Sequence, residues 1–207
     1  MWNWPKNQIT LVFIRHGATN ANKERRYLGK TDEALSTEGI DFLLQKKRNG
    51  VYPPVDILFS SPMKRCRETA DILYPEQEIR FIPQWEEIDF GEFEGKNYIE
   101  LKDDVRYQEW IDSNGTLPFP GGESREGFTE RCKIGFLQML DEISEMHIEE
   151  PMMVGLVVHG GTIMSLLSEY SGGDYFDYQV KNGLGYCCTL EICDGNPKLT
   201  TLDFLLL

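Results

Sequence analysis

The sequence predicts an α/β fold in three layers, with helices on both faces of a mainly parallel central sheet and a lid-like insertion. Two observations carry that prediction. Short β-rich apolar runs alternate with stretches whose apolar residues recur at helical spacing. Three of those runs stop at groups able to do chemistry: Arg15-His16-Gly17, Ser60-Ser61-Pro62 and His159-Gly160-Gly161.

The run Thr10 to Ile14 is apolar and short enough to be a strand buried on both faces. Ser36 can cap a helix with Ile40, Leu43 and Leu44 on one face and Lys46-Lys47-Arg48 at its end, where cations complement the helix dipole. Val55 to Ser60 reads as a second strand, and Pro62 opens a helix through Leu73. Ile79 to Ile82 reads as a third strand. A long helix from Ser124 to Met146, with Phe128, Cys132, Phe136, Leu137 and Leu140 inward, leads to the strand Met153 to Val158. Thr162 to Tyr170 is predicted helical. Strands Cys187 to Cys193 and Lys198 to Leu206 close the chain around the turn Asp194-Gly195-Asn196-Pro197. The segment from Lys96 to Glu123, rich in Gly, Pro, Asp and aromatics, reads as an insertion. Ligands of open α/β sheets bind beyond the strand carboxyl ends, so it is placed to act as a lid.

The 207 residues, 41% hydrophobic and 12% aromatic, suit a single domain over 1–207. The net charge of −13 argues against a nucleic-acid partner, whose phosphates are held by clustered Lys and Arg. No apolar run approaches the roughly 20 residues of a membrane-spanning helix, and Met1 to Lys6 lacks the features of a signal peptide. A cytoplasmic location and no membrane partner are therefore expected. Cys66, Cys132, Cys187, Cys188 and Cys193 lack paired metal or redox spacing and read as buried thiols. The oligomeric state stays open, a homodimer included.

In so acidic a chain a small anionic ligand requires a local positive pocket. Arg15, His16, Arg65 and His159 supply two guanidiniums and two imidazoles suited to a phosphate dianion, with Ser60, Ser61 and backbone N–H groups at the following helix as further donors. A metal hydrolase has little support, since none of the three His forms a short ligand pair. No Gly-x-x-x-x-Gly-Lys-Ser/Thr loop and no Cys-x-x-x-x-x-Arg loop is present. Neither a metal nor a cofactor is expected.

The ordered blocks Leu11-Val12-Phe13-Ile14-Arg15-His16-Gly17-Ala18-Thr19-Asn20-Ala21-Asn22, Gly29-Lys30-Thr31-Asp32 and Ser60-Ser61-Pro62-Met63-Lys64-Arg65-Cys66-Arg67-Glu68-Thr69-Ala70 continue with Glu87-Ile88-Asp89-Phe90-Gly91-Glu92-Phe93-Glu94-Gly95, Pro120-Gly121-Gly122-Glu123-Ser124 and Val157-Val158-His159-Gly160-Gly161-Thr162. Together they resemble the histidine phosphatase superfamily, which includes cofactor-dependent phosphoglycerate mutases and many small phosphatases. The likeness spans nearly the whole chain and implies a phosphoglycerate mutase-like fold. It is strongest toward small bacterial phosphatases, α-ribazole phosphatases among them. It implies that His16 is the nucleophile, with Arg15, Arg65 and His159 around the transferred phosphoryl group. Asn22 and Gly160 are implied as further substrate-binding residues and Glu87 as the proton donor.

The chemistry agrees: an imidazole is nucleophilic only when unprotonated, and Arg15 and Arg65 oppose a positive His16. Glu86 remains the rival of Glu87 on sequence alone. A phosphatase is favoured over a mutase because the span from Glu87 to His159 is short and carries Glu100, Asp103, Asp104, Glu109 and Asp112, a poor setting for a second anion. α-Ribazole phosphate leads as the specific ester, followed by sugar or nucleotide monophosphates. A non-catalytic phospho-ligand binder of the same fold is the other alternative. Arg67, Glu92 and Glu94 read as structural, and His147 as exposed. Tyr98, Tyr107, Trp110 and Phe119 surround either the substrate's organic part or one another.

Overall fold

The computed structural model describes residues 9–146 and 151–204; His147, Glu149, Glu150 and the Trp2-Asn3-Trp4 segment lie outside them. In chain order the elements are β1 (Ile9–Arg15), α1 (Asn20–Lys23), α2 (Thr37–Arg48), β2 (Ile57–Ser60), α3 (Lys64–Leu73) and β3 (Ile79–Phe81), then α4 (Tyr98–Leu101), α5 (Val105–Asp112) and α6 (Arg125–Ser144). The chain continues with β4 (Met152–Val158), α7 (Gly160–Ser171), β5 (Gly185–Cys193) and β6 (Asn196–Phe204). One six-stranded sheet runs in the order β3-β2-β4-β1-β5-β6. β1, β2, β3 and β4 are mutually parallel, while β5 runs antiparallel to β1 and to β6. The sheet is thus mostly parallel, with an antiparallel hairpin at one side.

The side-chain alternation of β1 builds the three layers. Ile9, Leu11 and Phe13 join one buried cluster with Phe128, Phe136 and Leu140 of α6 and Ile163 and Leu166 of α7. Val12 and Ile14 join a second with Leu43 of α2 and Cys66, Ala70 and Leu73 of α3. Both faces of β1 are covered, as its unbroken apolar run requires.

Helix starts follow the expected chemistry. The Ser36 hydroxyl accepts from the Gly39 N–H at 3.1 Å, and Ser124 does the same for Gly127 at 3.0 Å. Several expected boundaries shift. β2 begins at Ile57 rather than Val55, and α3 at Lys64 rather than Pro62. The expected four-residue turn contracts to Asp194-Gly195, both at positive φ, with Cys193 pairing directly with Asn196. That is the two-residue hairpin geometry matching strand twist, and Pro197 then sits on the edge strand, where a missing N–H costs nothing.

The insertion is ordered by α4 and α5 and by an aromatic cluster. Within that cluster the Phe119 ring centroid lies 4.9 Å from that of Phe90 and 5.0 Å from that of Trp110. Among the described residues no helix is long and apolar enough to cross a membrane.

Candidate active site

Because β2, β4 and β1 are neighbours in parallel register, their carboxyl ends lie level: Ser60 pairs with Val157, and Arg15 with Val158. The three segments singled out in the sequence therefore meet at one edge. The His16 and His159 ring centroids are 5.2 Å apart.

His16 is 2% exposed, and its Nδ1 is 2.7 Å from the Gly17 carbonyl oxygen. Burial first, then Arg65 and Arg15, pushes its pKa well below the usual imidazole value, so the ring is neutral. A neutral ring bonded to a carbonyl donates from Nδ1, which leaves the lone pair on Nε2. Arg65 is fully buried, and donates Nη1–H to the Thr31 carbonyl at 3.0 Å and Nη2–H to the Gly29 carbonyl at 3.0 Å, while its Nε has no partner among the described residues. Arg15 donates Nη1–H to the Val180 carbonyl at 2.8 Å, and its buried Nε is likewise unpaired. Each guanidinium thus keeps N–H capacity at the site.

His159 is fully buried, its Nε2 2.9 Å from the Ser61 hydroxyl and its Nδ1 3.9 Å from Glu87 Oε2. Glu87 is nearly enclosed, and burial raises its pKa against the lowering influence of the Ile88 N–H and the arginines. A Cβ on Gly161 would stand 2.7 Å from Glu87 Oε1, so only glycine leaves room for this carboxyl. Glu86 is exposed, which separates the two neighbours.

Asn22 reaches the site through Asn182, whose Nδ2 donates to Asn22 Oδ1 and to the His16 carbonyl, each at 3.1 Å. The sequence reading missed the 179–184 loop. Gly183 N–H also bonds the Arg15 and His16 carbonyls, and only the antiparallel entry of β5 brings this loop there.

A cavity of about 680 Å³ opens over the site, lined at one end by Arg15, Glu87, Gly160 and Asn182. His16, Arg65 and His159 are not among the lining residues. Elsewhere the lining is largely aromatic, with Tyr27, Phe90, Trp110, Phe119, Tyr175 and Phe176.

Of the two readings left open for the aromatic residues, Trp110 and Phe119 line the cavity and Tyr107 is buried within the aromatic cluster, while Tyr98 is 53% exposed and not in the lining. Two expectations are corrected. Ser60 and Ser61 are not free phosphate donors: Ser60 Oγ donates to the Ser61 and Val157 carbonyls, and Ser61 is engaged by His159. Nor do the insertion's acids face the cavity; Glu100 pairs with Arg26 and Asp104 with Arg106, while Arg125 and Lys181 line the wall.

Residues 11–203 match the family described as "Histidine phosphatase superfamily (branch 1)". The chain belongs to the histidine phosphatase superfamily. Within it, the chain is 31% identical over 169 residues to the "Uncharacterized phosphatase PhoE" of Bacillus subtilis, covering 79% of this chain and 78% of that one. It is 27% identical to the adenosylcobalamin/alpha-ribazole phosphatase of Escherichia coli, with 95% of each chain covered. Among solved structures, a phosphoserine phosphatase mutant from Entamoeba histolytica in complex with phosphoserine superposes with a TM-score of 0.74. That chain is 26% identical, with 94% of this chain and 96% of that one covered. Family and relatives make this chain a phosphatase.

Proposed function

We propose that this histidine phosphatase hydrolyses small phosphoric monoesters through a phosphohistidine on His16. The observation that carries the reading is the His16 ring, neutral and anchored through Nδ1 to Gly17, with Nε2 free among Arg15, Arg65 and His159.

An incoming phosphate meets the Arg15 guanidinium at the cavity wall. His16 Nε2 attacks phosphorus in line, forming a P–N bond as the P–O bond to the leaving oxygen breaks. Arg15 and Arg65 neutralise charge on the equatorial oxygens and neutral His159 donates an N–H to them, each charge-assisted hydrogen bond contributing ~1.5–3 kcal/mol. The Glu87 carboxyl gives its proton to the leaving alkoxide. As carboxylate it then takes a proton from water, which attacks phosphorus, breaks the P–N bond and restores neutral His16. No step requires a metal or cofactor.

α-Ribazole phosphate is the leading ester, supported by a relative of that name and by an aromatic wall suited to a planar organic group. A second reading, a compact anionic ester such as phosphoserine, is favoured by Arg125 and Lys181 in the same wall.

The test uses p-nitrophenyl phosphate, α-ribazole phosphate, phosphoserine and 3-phosphoglycerate with a chelator present. The expected result is hydrolysis with a trapped phosphoenzyme that is labile in acid and stable in base, absent in His16→Ala. Label on a serine, or loss of all turnover in chelator, would overturn the reading.

A further inference from the structure

Ser61 follows β2 directly and is held by its own N–H to the Val157 carbonyl at 3.1 Å, beside the β4 end that carries His159. Both side chains are fully buried. Among the described residues the Ser61 hydroxyl has three hydrogen-bonding neighbours: His159 Nε2 at 2.9 Å, the Met63 N–H at 3.4 Å and the Cys66 thiol. The Met63 N–H can only donate, so Ser61 Oγ accepts there and its own hydrogen is left for an acceptor. The Nε2 lone pair of a neutral imidazole is the strongest acceptor in reach. Cys66 Sγ, 3.6 Å from Nε2, is a weak partner for either group.

We propose that Ser61 is a positioning residue that fixes His159 as the Nδ1–H tautomer, presenting an N–H rather than a lone pair toward Glu87. The consequence rests on the phosphohistidine reading, but the tautomer does not. With hydrogen already on Nδ1, His159 cannot accept the Glu87 proton across their 3.9 Å separation. That proton stays available to the leaving oxygen. The same N–H donates to a phosphoryl oxygen, which a lone pair would repel. Burial and Arg65 keep the ring neutral, so the choice of tautomer matters.

The experiment is nitrogen-15 NMR of the two active-site imidazoles, with kinetics on aryl and alkyl phosphates. Wild type should show His159 protonated at Nδ1 and bare at Nε2. Ser61→Ala should shift the ring toward Nε2–H and lower kcat for alkyl phosphates about tenfold, the scale of one hydrogen bond, with KM held and aryl phosphates less affected. Ser61→Thr, which keeps the hydroxyl, should restore both. A wild-type His159 protonated at Nε2 would overturn the proposal, as would an unchanged tautomer in Ser61→Ala or a changed one in Cys66→Ala. The tautomer is read without substrate and in wild type, so neither a variant that fails to fold nor an inactive enzyme obscures it. An Nδ1–H signal with no phosphoenzyme would defeat the mechanism of hydrolysis alone.

Discussion

Glu86 and Glu87 are chemically identical neighbours that the fold sends to opposite environments. Trp85 decides which is which: its ring is fully buried, and its Nε1–H donates to the Cys132 carbonyl at 3.2 Å. The chain leaves this anchor with Glu86 in solvent and Glu87 against Gly161 and His159. No property of the two side chains could reveal this, because the phase comes from a tertiary contact. By contrast the meeting of Arg15, His16 and His159 at one sheet edge was legible, because short apolar strands run directly into them, and Arg65 follows β2 in the first turn of α3. Glu87→Gln keeps the shape and removes the acid proton. Alkyl phosphates, whose leaving alkoxide needs that proton, should slow by about 10²–10⁴-fold, and p-nitrophenyl phosphate far less. Equal slowing of both, measured as kcat/KM, would remove Glu87 from the acid role. Because Glu87 has a raised pKa and the proposed acid role needs it protonated, the alkyl reaction should fall off as pH rises through that value.

At the scale of elements, the repeated strand-then-helix pattern made the parallel core readable, since each buried strand needs an apolar run. α4 and α5 were not readable: only Leu101 and Tyr107 of the two are buried, which is too sparse a periodicity. What docks the insertion is a backbone crossing. Gly91 has φ +53, and a Cβ there would stand 2.2 Å from the Pro120 carbonyl oxygen. A Cβ on Gly122 would meet the Asp89 carbonyl oxygen at 2.3 Å. The Glu123 carboxylate then accepts from the Asp89 N–H at 3.1 Å and binds Arg131 at 2.8 Å. These contacts tie the insertion to the segment that carries Glu87. Gly91→Ala should therefore cost about 2–3 kcal/mol, or roughly 4–10 °C in Tm. Gly95→Ala is the control: its φ is +72 but an added Cβ meets no atom of the other described residues within 4 Å, so only backbone strain of about 1 kcal/mol applies. Thermal unfolding of the two variants separates close approach from strain. Equal losses would mean that the crossing does not hold the insertion.

Over the whole molecule, neutral imidazoles buried beside guanidiniums make stability depend on pH. His16 and His159 both have pKa values well below the usual 6.5, through burial and then Arg65. In the unfolded chain both titrate near about 6.5, so below that pH the unfolded state binds more protons, and their contribution to stability is lost as pH falls. Glu87 has the opposite sign. Its folded pKa is raised above 4.5, so the native state holds a proton that the unfolded state releases, and acid favours folding there. Where the windows overlap, two protons oppose one, leaving a net loss of about 1.4 kcal/mol per pH unit. The net charge of −13 works in the opposite direction, since acid relieves repulsion among surface carboxylates. A comparison with His16→Gln cancels that background, because both proteins share the same surface. Lowering the pH from 7 to 5.5 should cost wild type about 2–5 °C in Tm relative to the variant, which lacks one of the two opposed imidazoles. Tm curves that run parallel across this interval would mean that His16 accepts a proton inside the folded protein. A protonated His16 has no lone pair for phosphorus, so the same measurement bears on the nucleophile.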